Sequence, residues 1–320
     1  MFCVMSGRVV VLAGGTGGAK LARGMADLVD PDKLTVIANT GDDIEIYGAY
    51  VSPDPDLITF WLADRIDQRG WGLDGDTFHV MDGLRELGEE IWFNLGDRDL
   101  AIGLRRAEAL RRGERLTDAQ AELAAVLRAR GRVLPMSDTP VRTRVMAEDR
   151  WWTLQEYLIR ARGADGTWPE VQEVQFRGAA GARATPEVRA AIAQADAVII
   201  GPSNPVISIG PMLAIDDLRD ALEDTVAPVV AVSPLVAGEV IKGPTAGFLR
   251  WRGVDTSVDG VAMVYGGLVD GLVADQRADG LPVLETDVMM DGADGRHRLA
   301  AETLGFALGL GPRAGGPQAD

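Results

Sequence analysis

The sequence predicts an α/β protein with a mostly parallel sheet covered by helices on both faces and a helix-rich insertion. Three observations predict it. VVVLAGGTGGAKLARGM, residues 9–25, is an apolar run, a glycine-rich turn and a helix-like stretch, and with the apolar run 34–38 it makes a βαβ unit. Two later runs, DAVIIG at 196–201 and PVVAVS at 228–233, are apolar without polar alternation. Helical patterns separate these runs, as expected for strands buried on both faces.

In chain order, the first unit is a strand at 8–13, a glycine loop at 14–18, a helix at 19–29 and a strand at 34–38, with Pro31 and Asp32 in the turn. Residues 56–68 read as helix. Residues 81–90 and 99–112 carry Leu, Ile and Ala at helical spacing, and Thr117-Asp118 opens another helix over 118–130. The stretch 57–130 is thus expected as a helical cap or insertion within a single domain spanning 1–320. Short strands follow at 133–136, 141–147 and 171–177, then a helix at 186–194. The glycine- and proline-rich loop 201–211 lies between the strand 196–201 and a helix at 212–223, and the strand 228–233 follows. The tail 311–320, ending GPRAGGPQAD, is expected to be disordered.

Composition narrows the function classes. The 320 residues, 47% of them hydrophobic, suffice for a large core. A net charge of -16 argues against nucleic acid or an acidic membrane as partner, though a local pocket can reverse the global field. Cys3 is the only cysteine, which excludes a disulfide framework and a thiolate metal cage. His79 and His297 are the only histidines, so a histidine zinc site is not expected, nor is a Ser-His-Asp catalyst. No signal peptide is visible and no apolar run approaches about 18 residues, so a cytoplasmic protein is expected. Lysine occurs only at Lys20, Lys33 and Lys242, two of them in glycine-rich loops where a compact charge suits a phosphate.

The polar motifs fall after strands, where ligands of parallel sheets bind. Gly14, Gly15, Thr16, Gly17, Gly18 and Lys20 form a phosphate-type turn at a helix N-terminus, although neither GxGxxG nor GxxxxGK[ST] is matched. NTGDD (39–43) offers Asn39, Thr40, Asp42 and Asp43 for a divalent metal or a ribose hydroxyl; it also reads as an Asx turn. SPDPD (52–56) supplies Asp54 and Asp56, either as Mg²⁺ ligands or as helix caps. LGDRDLA (95–101) contains Arg98, an anion clamp or an exposed charge. MSDTPVRT (136–143) brings Ser137, Asp138 and Arg142 to a strand end. GPSNPVISIGP (201–211) carries Ser203, Asn204, Ser208 and Gly210 in a stretch suited to a second anion or ribose site, and SPLVAGEVIKGP (233–244) adds Lys242. With no covalent catalyst in view, such a site acts by positioning and charge neutralisation, which suits transfer at phosphorus.

Taken in order, GGTGGAKL, NTGDD, VSPDPD, LGDRDLA, PMSDTPVRT, IIGPSNPVISIGPML and SPLVAG…KGP resemble the 2-phospho-L-lactate transferase family, the CofD/FbiA-type enzymes of deazaflavin coenzyme F-420 biosynthesis. The motifs span roughly residues 8–245, and ETDVMM…RLA (285–300) resembles the family's C-terminal signature. The resemblance implies a Rossmann-like core and a homodimer. It implies that a phospholactyl or phosphoenolpyruvyl group moves from a guanosine-diphosphate-activated acid to the ribityl 5′-hydroxyl of the deazaflavin Fo, with Mg²⁺ as cofactor and GMP leaving. On it, the 14–18 turn and Lys20 meet the donor diphosphate and the 203–210 loop helps hold the GMP part. Asp56 and Arg98 contact Fo, and Asp43 and Asp54 are the metal candidates. Many relatives read SPDLDT where this chain has Pro55 and Leu57 in place of the Leu and Thr. A related class, the nucleotide-sugar-binding regulators of the YvcK/gluconeogenesis-factor type, resembles the same family without catalysing transfer; the 54/56 pair and the GDRD motif favour the enzyme.

Overall fold

The computed structural model describes residues 7–241 and 243–313. Its centre is a seven-stranded sheet, β1 (Val9–Ala13), β2 (Leu34–Ala38), β3 (Arg132–Pro135), β4 (Ala197–Ile200), β5 (Val229–Val232), β6 (Gly271–Ala274) and β7 (Val283–Glu285). Every pairing is parallel, and the spatial order is 3-2-1-4-5-6-7. The chain starts in the middle, winds outward to β3, then returns to place β4 beside β1. That reversal opens a crevice at the carboxyl ends of β1 and β4, the ligand position of doubly wound sheets.

β1, β2, β4, β5 and β6 are buried on both faces, and successive residues feed opposite cores. Val10 and Leu12 join one cluster and Val9, Val11 and Ala13 the other. The first face is covered by α7 (Pro186–Ala193), α9 (Asp216–Asp224) and α11 (Val258–Tyr265), through Ile192, Leu218 and Val261. The second is covered by α1 (Gly15–Met25), α2 (Pro53–Leu62) and α12 (Gly292–Leu310), through Leu21, Ile58 and Leu304.

Two excursions leave this core. Between β2 and β3 run a hairpin (Ile44–Ile46 with Ala49–Val51), α2, α3 (His79–Glu86), α4 (Asp97–Arg111) and α5 (Leu116–Leu127). The hairpin, α3 and α4 share a small cluster built on Val51, Met81 and Leu100. Between β3 and β4 lies a second sheet, of Arg142–Ala147 flanked by Arg150–Thr153 and Glu173–Arg177, with α6 (Leu154–Ile159) beside it. The expected strands at 141–147 and 171–177 thus lie in a separate antiparallel sheet rather than in the main one. From 142 to 147 half-buried and buried residues alternate, the pattern of a strand with one solvated face. Glu148 and Asp149, both at positive φ, close its hairpin.

Local boundaries shift for identifiable reasons. The glycines after β1 are not a loop before the helix: α1 begins at Gly15. The acidic motif likewise lies inside a helix, with Pro53 at the first position of α2 and Asp54 and Asp56 in its first turn. The 201–211 loop is coiled, with one wide π-type turn over Pro205–Ile209 running into α8 (Gly210–Leu213). The segment 245–310, unassigned from sequence beyond its signature, supplies α10 (Thr245–Trp251), α11, two strands and α12. Of the expected disordered tail, 311–313 are described and 314–320 lie outside the described residues. Among the described residues no helix is long and apolar enough to cross a membrane.

Candidate functional site

The β1–α1 turn is shaped by contacts that only glycine permits. Gly15 sits at φ +65°, where a side chain is strained, and open space lies where its Cβ would be. A Cβ on Gly17 would run into the Pro202 carbonyl oxygen, so the first turn of α1 packs against the loop after β4. No side chain caps α1 and no acidic residue of the helix occupies its first turn. The Gly14 N–H donates to Ser203 Oγ at 3.2 Å, and a Cβ on Gly14 would stand 2.7 Å from both Asp54 Oδ2 and Ser208 Cβ. Gly14, Asp54, Ser203 and Ser208 therefore meet at the crevice between β1 and β4.

Asp54 is fixed from both sides. Its Oδ1 accepts the Gly15 N–H at 2.6 Å and its Oδ2 accepts Asn39 Nδ2 at 2.9 Å. Asn39 is held in turn: its N–H donates to the Ala13 carbonyl at 3.1 Å and its Oδ1 accepts the Gly41 N–H at 2.8 Å. The same amide reaches Asp42 Oδ1 at 3.4 Å, and Gln155 Nε2 donates to Asp42 Oδ2 at 2.9 Å. Burial pushes Asp54 up to about 6, against the two hydrogen bonds that favour its charge. Burial, then the charges of Asp54 and Asp43, push Asp42 well above the usual carboxylate range. A buried and a half-buried carboxyl group beside amide donors form a site that gains from a cation.

From this point a cleft of about 540 Å³ runs outward. Gly15, Thr16, Asp42 and Asp54 line its inner end; Phe60, Trp71, Phe78 and Phe93 line its length. Asp56, Asp76 and Asp99 face it as well. Burial, then the charges of Asp56 and Asp76, push Asp99 up to about 7. Asp56 is buried against Arg106 of α4, whose Nη1 meets Asp56 Oδ2 at 3.0 Å while Nη2 meets Oδ1. Arg106 also donates to the Tyr50 carbonyl at 3.0 Å and lies 3.4 Å from Gln120 Oε1. Gln120 donates to Thr59 Oγ1 at 2.8 Å, so α4 and α5 are both tied to α2.

The structure brings some expected residues together and separates others. Gly14, Gly15, Thr16, Asn39, Asp54, Ser203 and Ser208 converge as described, and Gly17 and Gly18 complete the turn. Asp43 is turned elsewhere: its oxygens accept Ser52 Oγ at 2.7 Å and the Tyr50 hydroxyl at 2.9 Å, and it lines a side pocket rather than the cleft. Arg98 is exposed, its guanidinium 3.4 Å from the Asp74 carbonyl, and Arg69 rather than Arg98 lines the cleft. Lys20 is half-buried on α1, one turn in, and does not line the cleft.

Other expected residues serve local structure. Ser137 donates to the Arg183 carbonyl at 2.7 Å. Asp138 accepts Arg115 Nε at 2.9 Å and the Thr117 N–H at 2.8 Å, at the start of α5. Asn204 caps the turn after it, accepting the N–H groups of Val206 and Ile207, and Gly210 admits the Phe176 ring. Thr40 is buried with its hydroxyl unpartnered. Lys242 lies outside the described residues. Sequence reading missed Arg106, although a signal was there. Leu100, Gly103, Arg106 and Ala109 recur every third residue as the buried face of α4, and a charge on such a face demands a partner. The aromatic wall carried no motif, because its residues come from several separate segments.

Known proteins resemble this chain along most of its length. The family model described as 2-phospho-L-lactate transferase CofD matches residues 9–295. A 2-phospho-L-lactate transferase of Methanosarcina mazei is 35% identical over 84% of this chain and 87% of its own. A phosphoenolpyruvate transferase of Kitasatospora aureofaciens is 37% identical over 92% and 97%. A 2-phospho-L-lactate transferase of Methanocaldococcus jannaschii is 34% identical over 94% and 99%. Among solved structures, a UPF0052-family protein of Bacillus halodurans superposes with a TM-score of 0.62 at 17% identity, over 94% of this chain and 99% of that one, which shows a shared fold.

Proposed function

The chain belongs to the 2-phospho-L-lactate transferase CofD family, and from that premise we propose that it moves a phospholactyl or phosphoenolpyruvyl group from a guanosine-diphosphate-activated donor to the ribityl 5′-hydroxyl of Fo. One observation carries the reading. An amide-rich helix start, the carboxyl groups of Asp54 and Asp42 and an aromatic-lined cleft of about 540 Å³ meet at one point of the sheet edge.

The donor diphosphate lies on the first turn of α1, where backbone N–H groups and the helix dipole favour negative charge. The loop from Ser203 flanks the guanosine side. The deazaflavin ring occupies the aromatic cleft, with its ribityl chain directed inward past Asp56 and Asp99. The hydroxyl oxygen forms a bond to the phosphorus that bears the acid. The bond from that phosphorus to the bridging oxygen breaks, and its electron pair leaves on GMP. The hydroxyl proton passes to a carboxylate facing the cleft. Little covalent chemistry is asked of the protein, so positioning supplies most of the rate.

Mg²⁺ fits the residues at the inner end. It is commonly held by one or two carboxylates plus substrate phosphates, and no cluster of three or more His, Cys, Asp or Glu suited to a metal occurs among the described residues. Asp54 and Asp42 would hold it; Asp43, which lines the side pocket and not the cleft, fits poorly. When bound, the ion neutralises phosphate charge. A homodimer is part of the same reading, and light scattering checks it.

The test is incubation with Fo, Mg²⁺ and each of the lactyl, enolpyruvyl and glyceryl guanylylated donors, followed by mass analysis. The reading expects Fo gaining one phospho-acid unit, with equimolar GMP. A chain that binds a nucleotide sugar, ignores Fo in a fluorescence titration and yields no product is the regulator instead.

A further inference from the structure

We propose that a side pocket opening between Asp42 and Arg144 receives the carboxylate of the donor's three-carbon acid, with Arg144 as the residue that recognises it. The proposal rests on the transfer reaction above and deepens it. The pocket measures about 200 Å³, below the size that holds a nucleoside or a fused ring and sufficient for a small acid. Asp42 and Gln155 line both this pocket and the cleft, so the two are neighbours through one wall. A group attached to a phosphorus held beside Asp42 and Asp54 has this pocket within reach.

The lining is suited to an anion of this size. Arg142 and Arg144 stand two residues apart on one strand and share its half-buried face. Arg142 is pre-positioned, donating to the Tyr50 hydroxyl at 2.9 Å and the Val141 carbonyl at 3.0 Å, with its guanidinium 5.5 Å from the Tyr50 ring centre. It keeps donors to spare. Arg144 makes no side-chain hydrogen bond or ion pair among the described residues, and its Nε is buried without a partner. A buried guanidinium donor left unpaired is costly, and a carboxylate is the group whose geometry matches it.

The nearby acids do not fill that role. Asp43 is taken by Ser52, Tyr50 and the charge of Arg142. Glu45 feels Arg142. Glu156 feels the charge of Arg144 but is hydrogen-bonded to Thr153 in a capping box, and Asp42 accepts Gln155. The spare donors of Arg142 and the Nε of Arg144 are the polar groups of this wall left for a ligand. A donor whose acid lacked its carboxylate would leave these groups unpaired, and sites built on polar pairing reject such analogues strongly.

The experiment compares the wild-type protein with Arg144→Ala and Arg144→Lys, each checked for folding by circular dichroism. Steady-state kinetics with the guanylylated acid and Fo are joined to calorimetric binding of GDP, which carries no acid. Arg144→Ala is expected to raise KM for the donor roughly 10- to 100-fold, the loss of one charge-assisted hydrogen bond. KM for Fo and the affinity for GDP should stay within about twofold, and Arg144→Lys should recover part of the loss. An unchanged donor KM, or an equal loss of GDP affinity, overturns the carboxylate assignment while leaving the transferase intact. A wild-type protein that transfers nothing to Fo overturns the reaction and this assignment together.

Discussion

Replacing Arg106 by methionine is the sharpest test of how the acidic wall is held. Arg106 is 3% exposed and grips Asp56 with both terminal nitrogens, one of them at 3.0 Å. At an effective dielectric near 20 the attraction at that separation is roughly 5 kcal/mol, most of it offset by the cost of burying both charges. Removing only the arginine keeps that burial cost for Asp56 and frees the Tyr50 carbonyl, so a loss of about 3–5 kcal/mol is expected. The neighbouring Arg105 supplies the control. Its pair with Glu122 lies at 2.8 Å but is half-exposed on both sides, so Arg105→Met should cost less than about 1 kcal/mol. Urea unfolding at fixed pH measures both variants. The double variant Arg106→Met with Asp56→Leu should recover at least half of the loss, because no unpaired charge remains. A cost under about 1 kcal/mol for Arg106→Met, or single losses that simply add in the double variant, refutes the view that this pair locks α4 onto α2.

Three further outcomes are expected. Gly17→Ala drives a methyl into the Pro202 carbonyl, so it should lower stability by about 2 kcal/mol or more and weaken GDP binding at least tenfold by calorimetry. Asp54→Asn should reduce turnover by roughly 100-fold or more and flatten its Mg²⁺ dependence; full activity with unchanged dependence would remove Asp54 from the metal site. Asp99 carries its proton up to about pH 7 in the fold against an ordinary 3.8. The unfolded chain then releases that proton first as pH rises. Its contribution to stability is therefore full below about pH 4 and is lost between about pH 4 and 7. Asp99→Asn should stabilise the protein relative to wild type at pH 8, by at most about 4 kcal/mol, and leave it unchanged at pH 4. Thermal shifts at the two pH values decide it.

The sheet was legible because its strands are extreme. β1, β2, β4 and β5 are buried on both faces, and nothing but an apolar run satisfies that position. The β1–α1 turn and Asp54 were legible for a related reason, since glycines beside a strand end admit close approach of other chain segments. Register and partner choice were not. Asp42 and Asp43 are adjacent in NTGDD, and only the hydroxyls of Ser52 and Tyr50 decide which faces the cleft. Arg98 sits in a motif yet points outward, while Arg69, from an unremarked turn, lines the cleft. The antiparallel sheet announced itself through its alternation at 142–147, a period-two pattern that a reading weighted toward buried strands passed over.

The two excursions carry their own small apolar clusters, one around Met81 and one around Trp152, apart from the two that sandwich the main sheet. Both excursions wall both cavities: Phe93 and Leu158 line the long cleft, and Ile44 and Leu154 line the side pocket. On the proposed reading, substitutions in either excursion reshape donor or acceptor preference without entering the two apolar clusters that sandwich the main sheet. Because the two cavities share Asp42 and Gln155, a change in either excursion alters both together while the central frame stays as it is.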